Sequence, residues 1–591
     1  LKKSWKSLTA VLLCGLLLIG GVMLMMDAQV SVADKKKPDS LTPSSPAAVA
    51  TGNAGMVVTA HPLASKVGAE VLKDGGNAVD AAVAIQFALN VTEPMMSGIG
   101  GGGFMMVYEG KSKKVTIINS RERAPKSAHP RMFLDANGKE IPFPVRSTQG
   151  YAVGVPGTVK GLYTALEKWG TRPMSKLIQP AIELAEKGVP VNRVLAKSIA
   201  DNQEALSRSA AKDVFLPGGK PLKEGDRLVQ KDLAKTFRLI QSQGWKAFYE
   251  GPIAKALVQV VNEKGGKMDL NDLKRYQVTI DQPLWSDYKG YRIATMPPPS
   301  SGVTMLQILK LLDEVKAQEK APRSADKYHL FAEVSHLAYS DRGAYIGDPA
   351  FVDVPLKGLL DPQYVRERAK LVNPTYANAS VQPGDPWKYE GRQPQKKGTQ
   401  QEHPPGQTTH FTVADRWGNI VSFTTTIEQE FGTGIMVPGY GFLLNNELTD
   451  FDVYPGGPNE VQPDKRPRSS MMPTIIFKDE KPIMTVGSPG GSTIISSVYQ
   501  VIFNRLSYGM DLKAAVEEPR IFSDKYPMIR WEKGVPDEVR KELIKRGHQW
   551  EQNPKEIGNA NAMWIDHKTG VYTGVGDSSR ESTAIGLWKK K

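Results

Sequence analysis

Two spacings of apolar residues alternate along the chain, and each predicts a different kind of element. From Pro62 to Val91 apolar residues recur at helical spacing, broken once at Gly75-Gly76-Asn77, where Asn77 can cap a second helix running through Ala82 and Phe87. This pattern predicts a buried helical hairpin. Phe104 to Tyr108 then reads as a strand, and residues 155–345 carry Leu, Ala, Lys and Glu mainly at helical spacing, with a rigid turn at Pro297-Pro298-Pro299-Ser300-Ser301-Gly302. Beyond residue 408 strand patterns dominate. Thr409 to Val413, a turn at Asp415-Arg416-Trp417-Gly418 and Ile420 to Thr426 make one hairpin; Pro473 to Phe477 and Ile483 to Ser488 make another, followed by a helix from Ser492 to about Tyr508.

The segments without periodicity divide the chain. Lys2, Lys3 and Lys6, an apolar run from Leu8 to Met26 and the small-residue pattern Ser31-Val32-Ala33 fit a secretory signal peptide over residues 1–33, the alternative being an uncleaved anchor. Residues 34–51, rich in Pro, Ser and Lys, are expected to be a flexible tether. Between Gln382 and Gln407 the composition shifts to Pro, Gly, Gln and Lys, which predicts a mobile, exposed segment (381–407) ending abruptly at the first hairpin. A processing site would look like this.

Composition narrows the chemistry. The 591 residues can bury at least one large core, with a length prior of about two to four domains that a layered α/β fold can undercut. Cys14 is the only cysteine and lies inside the apolar run of the expected signal peptide, so the exported chain would have no disulfide, thiolate metal site or cysteine nucleophile. The net charge of +14 is dispersed and lacks zinc-ligand or aromatic-plus-basic motifs, which argues against nucleic acid and leaves an anionic polymer or the cell envelope as partners. Gly98-Ile99-Gly100-Gly101-Gly102-Gly103 matches a dinucleotide-type pattern but follows a helix and leads into a strand, the reverse of a Rossmann turn, and reads better as a close-packing turn. G-x-S-x-G, H-E-x-x-H and P-loop patterns are absent, and no metal or cofactor is expected.

Hydroxyl residues crowd the first hairpin: Thr408, Thr409, Thr412, Thr424, Thr425 and Thr426. A turn centred on Trp417 pairs residues equidistant from it, so Thr408 faces Thr426, within one residue if a bulge intervenes. Threonine also favours strands for packing alone, and spacing does not decide between the two readings. At Gly487-Ser488-Pro489-Gly490-Gly491 a strand turns into a helix through two glycines, where backbone N–H groups can converge on an oxyanion or merely make a tight connection. Asn445-Asn446-Glu447-Leu448-Thr449-Asp450 and Arg468-Ser469-Ser470-Met471 are polar clusters between apolar runs, suited to an amino acid's charges or to solvated loops.

Together these motifs, with Phe431-Gly432-Thr433-Gly434, Lys465-Arg466-Pro467, Arg121-Glu122-Arg123-Ala124-Pro125 and Ala152-Val153-Gly154-Val155-Pro156-Gly157, closely resemble the γ-glutamyltranspeptidase (glutathione hydrolase) family, in order and over roughly residues 52–590. The resemblance implies an α/β fold, the N-terminal-nucleophile αββα sandwich, made as one precursor and cut between Gln407 and Thr408 into a large (52–407) and a small catalytic (408–591) subunit. It implies that Thr408 is the nucleophile with its own α-amine as base, that Thr426 bonds that amine, and that Gly490 and Gly491 form the oxyanion hole. Arg121, with Ser469 and Ser470, would hold the donor's α-carboxylate, and Glu447 and Asp450 its α-ammonium. The implied partners are glutathione and other γ-glutamyl donors, and amino-acid or peptide acceptors. The implied location is extracellular, or periplasmic if the source has an outer membrane. Glu428 stands at a substrate-binding position where many relatives carry Asn, and the run from Phe451 to Arg468 is short for a lid. In these respects the chain looks like lid-less bacterial members, some of which trim poly-γ-glutamate; a polymer depolymerase or capsule-type transpeptidase on the same fold is the alternative reading.

Overall fold

A computed structural model describes residues 49–393, 397–401, 404 and 406–589. The expected signal peptide and nearly all of the tether lie outside the described residues. Among those described, no helix is long and apolar enough to cross a membrane.

Two seven-stranded antiparallel sheets organise the chain. Their elements, in chain order, are β1 (Val49–Gly52), β2 (Gly55–Thr59), α1 (Pro62–Lys73), α2 (Ala78–Thr92), β3 (Gly102–Tyr108), β4 (Val115–Asn119), β5 (Thr279–Asp281), β6 (Leu284–Tyr288) and β7 (Tyr291–Thr295). The helices α3 (Gly302–Glu314) and α4 (Ala325–Tyr345) come next. They precede β8 (Thr409–Asp415), β9 (Ile420–Thr426), β10 (Thr474–Lys478), β11 (Lys481–Gly487), α5 (Thr493–Leu506), β12 (Asn561–Asp566), β13 (Val571–Gly576) and β14 (Thr583–Leu587). One sheet runs β14-β2-β8-β9-β3-β4-β5 and the other β1-β13-β12-β11-β10-β7-β6. The two hairpins read from the sequence therefore occupy the interiors of opposite sheets.

The sheets face each other, with α1 and α2 packed on the first, α3 and α5 on the second and α4 against α3, the αββα order of layers. Where they meet, Thr412 Oγ1 and Thr485 Oγ1 are 2.9 Å apart, and the Asn561 side-chain amide donates to the His410 carbonyl at 2.8 Å. At Gly487 a Cβ would stand 2.2 Å from the His410 ring, so this position tolerates no side chain. Burial holds the His410 imidazole neutral, its pKa lowered to about 3.

The helical hairpin forms as its sequence requires. Asn77 Oδ1 accepts the N–H groups of Val79 and Asp80 at 2.9 Å each, and Asp80 Oδ2 accepts that of Asn77 at 2.9 Å, a reciprocal capping box. Every residue of α2 is buried, which is why its apolar pattern runs all round rather than along one stripe. The Gly98–Gly103 segment is a close-packing turn: a Cβ on Gly100 would lie 1.9 Å from the Leu443 carbonyl oxygen, and one on Gly101 2.0 Å from that of Thr426.

Three expectations need correction. Residues 155–345 are mainly but not wholly helical, because Thr279–Thr295 supplies β5 and β6 as edge strands of the two sheets and β7 beside β6. The tether ends earlier than residue 51, since Val49–Gly52 pairs with β13. The segment 381–407 is not uniformly exposed. Pro386–Glu390 forms a 3-10 helix whose Trp387 is buried among Val303, Tyr345 and Leu359, with Arg392 over its ring. Burying one indole outweighs the ordering cost that the polar composition suggested.

Candidate active site

The β8–β9 hairpin delivers two hydroxyls to one point. Asp415 builds its turn, accepting the N–H groups of Trp417 and Asn419, while its other oxygen accepts the N–H of Ala78 at the start of α2. The resulting register pairs Thr409 with Thr425 and His410 with Thr424, as a turn about Trp417 predicts. One step beyond the last pair, the Thr408 and Thr426 hydroxyls are 3.3 Å apart.

Thr426 connects the hydroxyl before it to the peptide bond preceding Thr408. Its hydroxyl donates to the Gln407 carbonyl at 2.7 Å and accepts the Glu428 N–H at 2.9 Å and the Thr408 O–H. The Gln407 N–H in turn donates to the Glu428 carbonyl at 2.5 Å. Glu428 sits at φ 80°, a left-handed conformation that is strained for a residue with a side chain and is held here by these two backbone contacts.

Arg580 fixes the same peptide from the other side. Its Nη2 donates to Gln407 Oε1 at 2.8 Å and to Glu556 at 2.7 Å, and its Nη1 lies 3.5 Å from the Thr408 carbonyl oxygen. Neither residue had been singled out in the sequence, where no local spacing joins Arg580 to Thr408.

Beyond the hydroxyl pair, β11 ends at the Gly490-Gly491 turn. Both glycines have positive φ, 125° and 56°, and a Cβ on Gly490 would lie 2.3 Å from Thr493 Oγ1. Neither Gly490 N–H nor Gly491 N–H has an acceptor among the described residues. Gly491 lines one cleft with Thr408, Thr426, Glu428, Arg121, Glu447, Asp450, Ser469 and Ser470; Gly490 and Gln407 do not line it, though each precedes a residue that does, Gly491 and Thr408. Residues drawn from six separate stretches of sequence thus converge on one cleft, among them both polar clusters, which are buried apart from the partly exposed Asp450.

The family model described as Gamma-glutamyltranspeptidase matches residues 64–587. The chain belongs to the γ-glutamyltranspeptidase family. It is 59% identical to the glutathione hydrolase proenzyme of Bacillus subtilis (strain 168), over 100% of both chains. It is 34% identical to the capsule biosynthesis protein CapD proenzyme of Bacillus anthracis, over 96% of each chain. Among solved structures, a cephalosporin acylase from Bacillus halodurans superposes with a TM-score of 0.82 at 28% identity, covering 95% of this chain and 100% of that one. The fold is that of the N-terminal-nucleophile type to which such γ-glutamyltranspeptidase and acylase structures belong.

In this family member the cleft is a field of alternating charge. Arg121 ion-pairs with Glu447, with Asp450 at 2.7 Å, and donates to the carbonyls of Pro467 and Arg468. Burial works against its charge, but the carboxylates outweigh burial and raise its pKa. Burial pushes Glu447 up to about 7 against the pull of Arg121. Glu428 is also raised, by burial first and then by Asp450 and Glu447.

A second guanidinium, outside the sequence-derived set, completes the field. Arg342 on α4 lines the cleft, donating from Nε to Ser301 Oγ at 2.7 Å and from Nη2 to Ser470 Oγ at 2.9 Å. No carboxylate among the described residues lies in ion-pair contact with it, and burial, followed by repulsion from Arg468, lowers its pKa to about 10. Because the guanidinium can only donate, it fixes Ser470 Oγ as an acceptor towards itself and leaves the serine hydrogen to point elsewhere.

Proposed function

We propose that Thr408 is the nucleophile, first in the maturation of the chain and then in catalysis, and that the protein acts as a γ-glutamyltransferase and glutathione hydrolase. The hydrogen-bonded line from the Thr408 hydroxyl through Thr426 to the Gln407 carbonyl carries this reading. In maturation Thr408 Oγ1 bonds to the Gln407 carbonyl carbon. Its proton passes to Thr426, which delivers its own to the carbonyl oxygen. The C–N bond then breaks, the nitrogen takes a proton, and water hydrolyses the resulting ester. The products are a large subunit ending at Gln407 and a small one beginning at Thr408, which remain together as a heterodimer.

The freed α-amine of Thr408 serves as base for its own hydroxyl, which attacks the γ-carbonyl of the donor. The Gly490 and Gly491 amides hold the oxyanion, the leaving amine departs with the proton, and a γ-glutamyl ester remains. Water resolves it in hydrolysis, and the amine of an amino acid or peptide resolves it in transpeptidation. The donor's zwitterion matches the field of the cleft. Its α-carboxylate meets Arg121 and the Ser469 and Ser470 hydroxyls, with Arg342 behind Ser470, and its α-ammonium meets Glu447 and Asp450, with Glu428 beside them.

Poly-γ-glutamate is a second donor consistent with the net charge of +14 and the short run from Phe451 to Arg468. Export by a signal peptide over residues 1–33 is part of the same reading. One experiment tests these points together: N-terminal sequencing of both subunits, and glutamate release from glutathione and from the polymer, by wild type and Thr408→Ala. Thr408→Ala should give one uncut, inactive chain. An active uncut chain would sink the proposal, and release from glutathione alone would remove the polymer.

A further inference from the structure

Three of the chain's eight histidines gather at a place the reaction does not use. His329, Glu333 and His336 lie on successive turns of one face of α4, and His548 reaches them from the far side of the cut at residue 408. All four are buried, none more than 2% exposed. His329 Nδ1 stands 2.8 Å from His548 Nε2. One candidate ligand atom from each of His329, Glu333 and His548 lies within 4.8 Å of the others.

Donor logic fixes most of the hydrogens. His329 Nε2 is 2.7 Å from the Asn373 carbonyl, which can only accept, so Nε2 carries the hydrogen and Nδ1 turns a lone pair towards His548. Ser523 donates its hydroxyl hydrogen to the Met528 carbonyl and stands 2.7 Å from His336 Nε2, which must therefore be the donor. His336 Nδ1 is left with a lone pair and no hydrogen-bond partner among the described residues, 3.7 Å from Glu333 Oε1. In the empty site His548 Nε2 donates its hydrogen to His329 Nδ1, and His548 Nδ1, without a partner among the described residues, can take that hydrogen when Nε2 binds a cation. Both rings are buried with the Glu333 carboxylate beside them, a donor set able to bind a cation. The ion pair closest by, Arg546 with Asp326 at 2.9 Å, is already satisfied.

Buried lone pairs without donors are costly, and this set has the composition of a site for a borderline-soft divalent cation. A histidine whose second nitrogen donates to a backbone carbonyl is the usual outer support of a metal ligand. Around zinc at about 2.0–2.1 Å, tetrahedral ligands stand about 3.3 Å apart, so the two rings need to open by about half an ångström. We propose that His329 Nδ1, His548 Nε2 and a Glu333 oxygen bind a zinc-class cation, with water or the unpartnered His336 Nδ1, 3.7 Å from Glu333 Oε1, as the fourth ligand. Its ligands come from both sides of the Gln407-Thr408 bond, so the bound ion clamps the large subunit to the small one after the cut.

The test uses the processed full-length protein, stripped with chelator and then given one equivalent of zinc or cobalt. After gel filtration the wild type should retain about one ion per chain. It should also show a raised thermal midpoint and, with cobalt, the visible absorption of a tetrahedral site. His548→Gln and Glu333→Gln should each lose all three signals while still cleaving glutathione. Failure of the wild type to retain the ion would overturn the proposal whatever the variants do. Retention undiminished in Glu333→Gln or His548→Gln would place the ion elsewhere and overturn it equally.

Discussion

Replacing Thr426 by Val tests the maturation geometry with little change of shape. Valine is isosteric, so the hairpin packing around Thr425 and Gly102 is kept and only the hydroxyl is lost. That hydroxyl is the donor, at 2.7 Å, to the carbonyl on which negative charge develops when Thr408 attacks. Removing one such donor costs about 2.7–4 kcal/mol in the transition state, about 10²–10³ in rate. The Glu428 N–H also loses its acceptor, a buried vacancy worth about 1–3 kcal/mol of stability, which a protein of this size can bear without unfolding. The assay is a denaturing-gel time course of purified precursor, with circular dichroism and the thermal midpoint confirming that the variant is folded. The half-time for appearance of the two subunits should lengthen by about 10²–10³, and Thr426→Ser, which keeps the hydroxyl, should restore most of the rate. Maturation of a folded Thr426→Val precursor within about threefold of wild type would refute the relay through Thr426.

Two further outcomes probe substrate recognition. Arg342→Gln should raise KM for γ-glutamyl donors by about 10- to 100-fold, the loss of a charge-assisted contact of about 1.5–3 kcal/mol, with kcat little changed. A donor lacking the α-carboxylate should not distinguish variant from wild type in steady-state kinetics, and if it does, Arg342 acts on structure instead. Glu447 ionises as pH rises through about 7, and the donor's ammonium needs the ionised form, so donor affinity should fall by up to about tenfold per pH unit below that value. Because its folded pKa is raised, Glu447 acts on stability in the opposite sense, its contribution being lost as pH rises through the same value. Initial-rate kinetics from pH 6 to 8 should show a steeper fall of affinity towards low pH in wild type than in Glu447→Gln, where only the Thr408 amine still titrates, and equal slopes in both would reject this role.

What could be read from the sequence was set by local rules. The position of Trp417 fixed the register of β8 and β9, and Asn77 announced the start of α2, because turn and cap geometry depend on residues only a few positions apart. The glycine turns at 98–103 and 487–491 were legible for the same reason. Arg580 and Arg342 were not, since one reaches the Gln407-Thr408 peptide from β14's approach and the other reaches Ser470 from a helix packed on the opposite sheet. No spacing in a single sequence encodes contacts of that range. The strands over Thr279–Thr295 were missed because the half-exposed residues of the edge strands β5 and β6 and the short β7 show neither clean alternation nor a continuous apolar run, and Trp387 because one buried aromatic does not alter the composition of a polar segment.

On the proposed maturation, Thr426 serves two states of the chain. In the uncut chain its hydrogen is committed to the Gln407 carbonyl and its lone pairs to Glu428 N–H and Thr408 O–H, so all its hydrogen-bonding capacity goes into the bond to be broken. Cutting removes that carbonyl from its covalent tie and creates an amine on Thr408, next to a hydroxyl that has just lost its acceptor. The same side chain can then bond the new amine and orient it towards Thr408 Oγ1 without any movement of the hairpin. A serine would supply the same atoms but not the methyl group that fixes the rotamer of a threonine in a strand. The hairpin that β-propensity alone would explain is therefore also the part that must stay rigid while the bond beside it is made, broken and replaced.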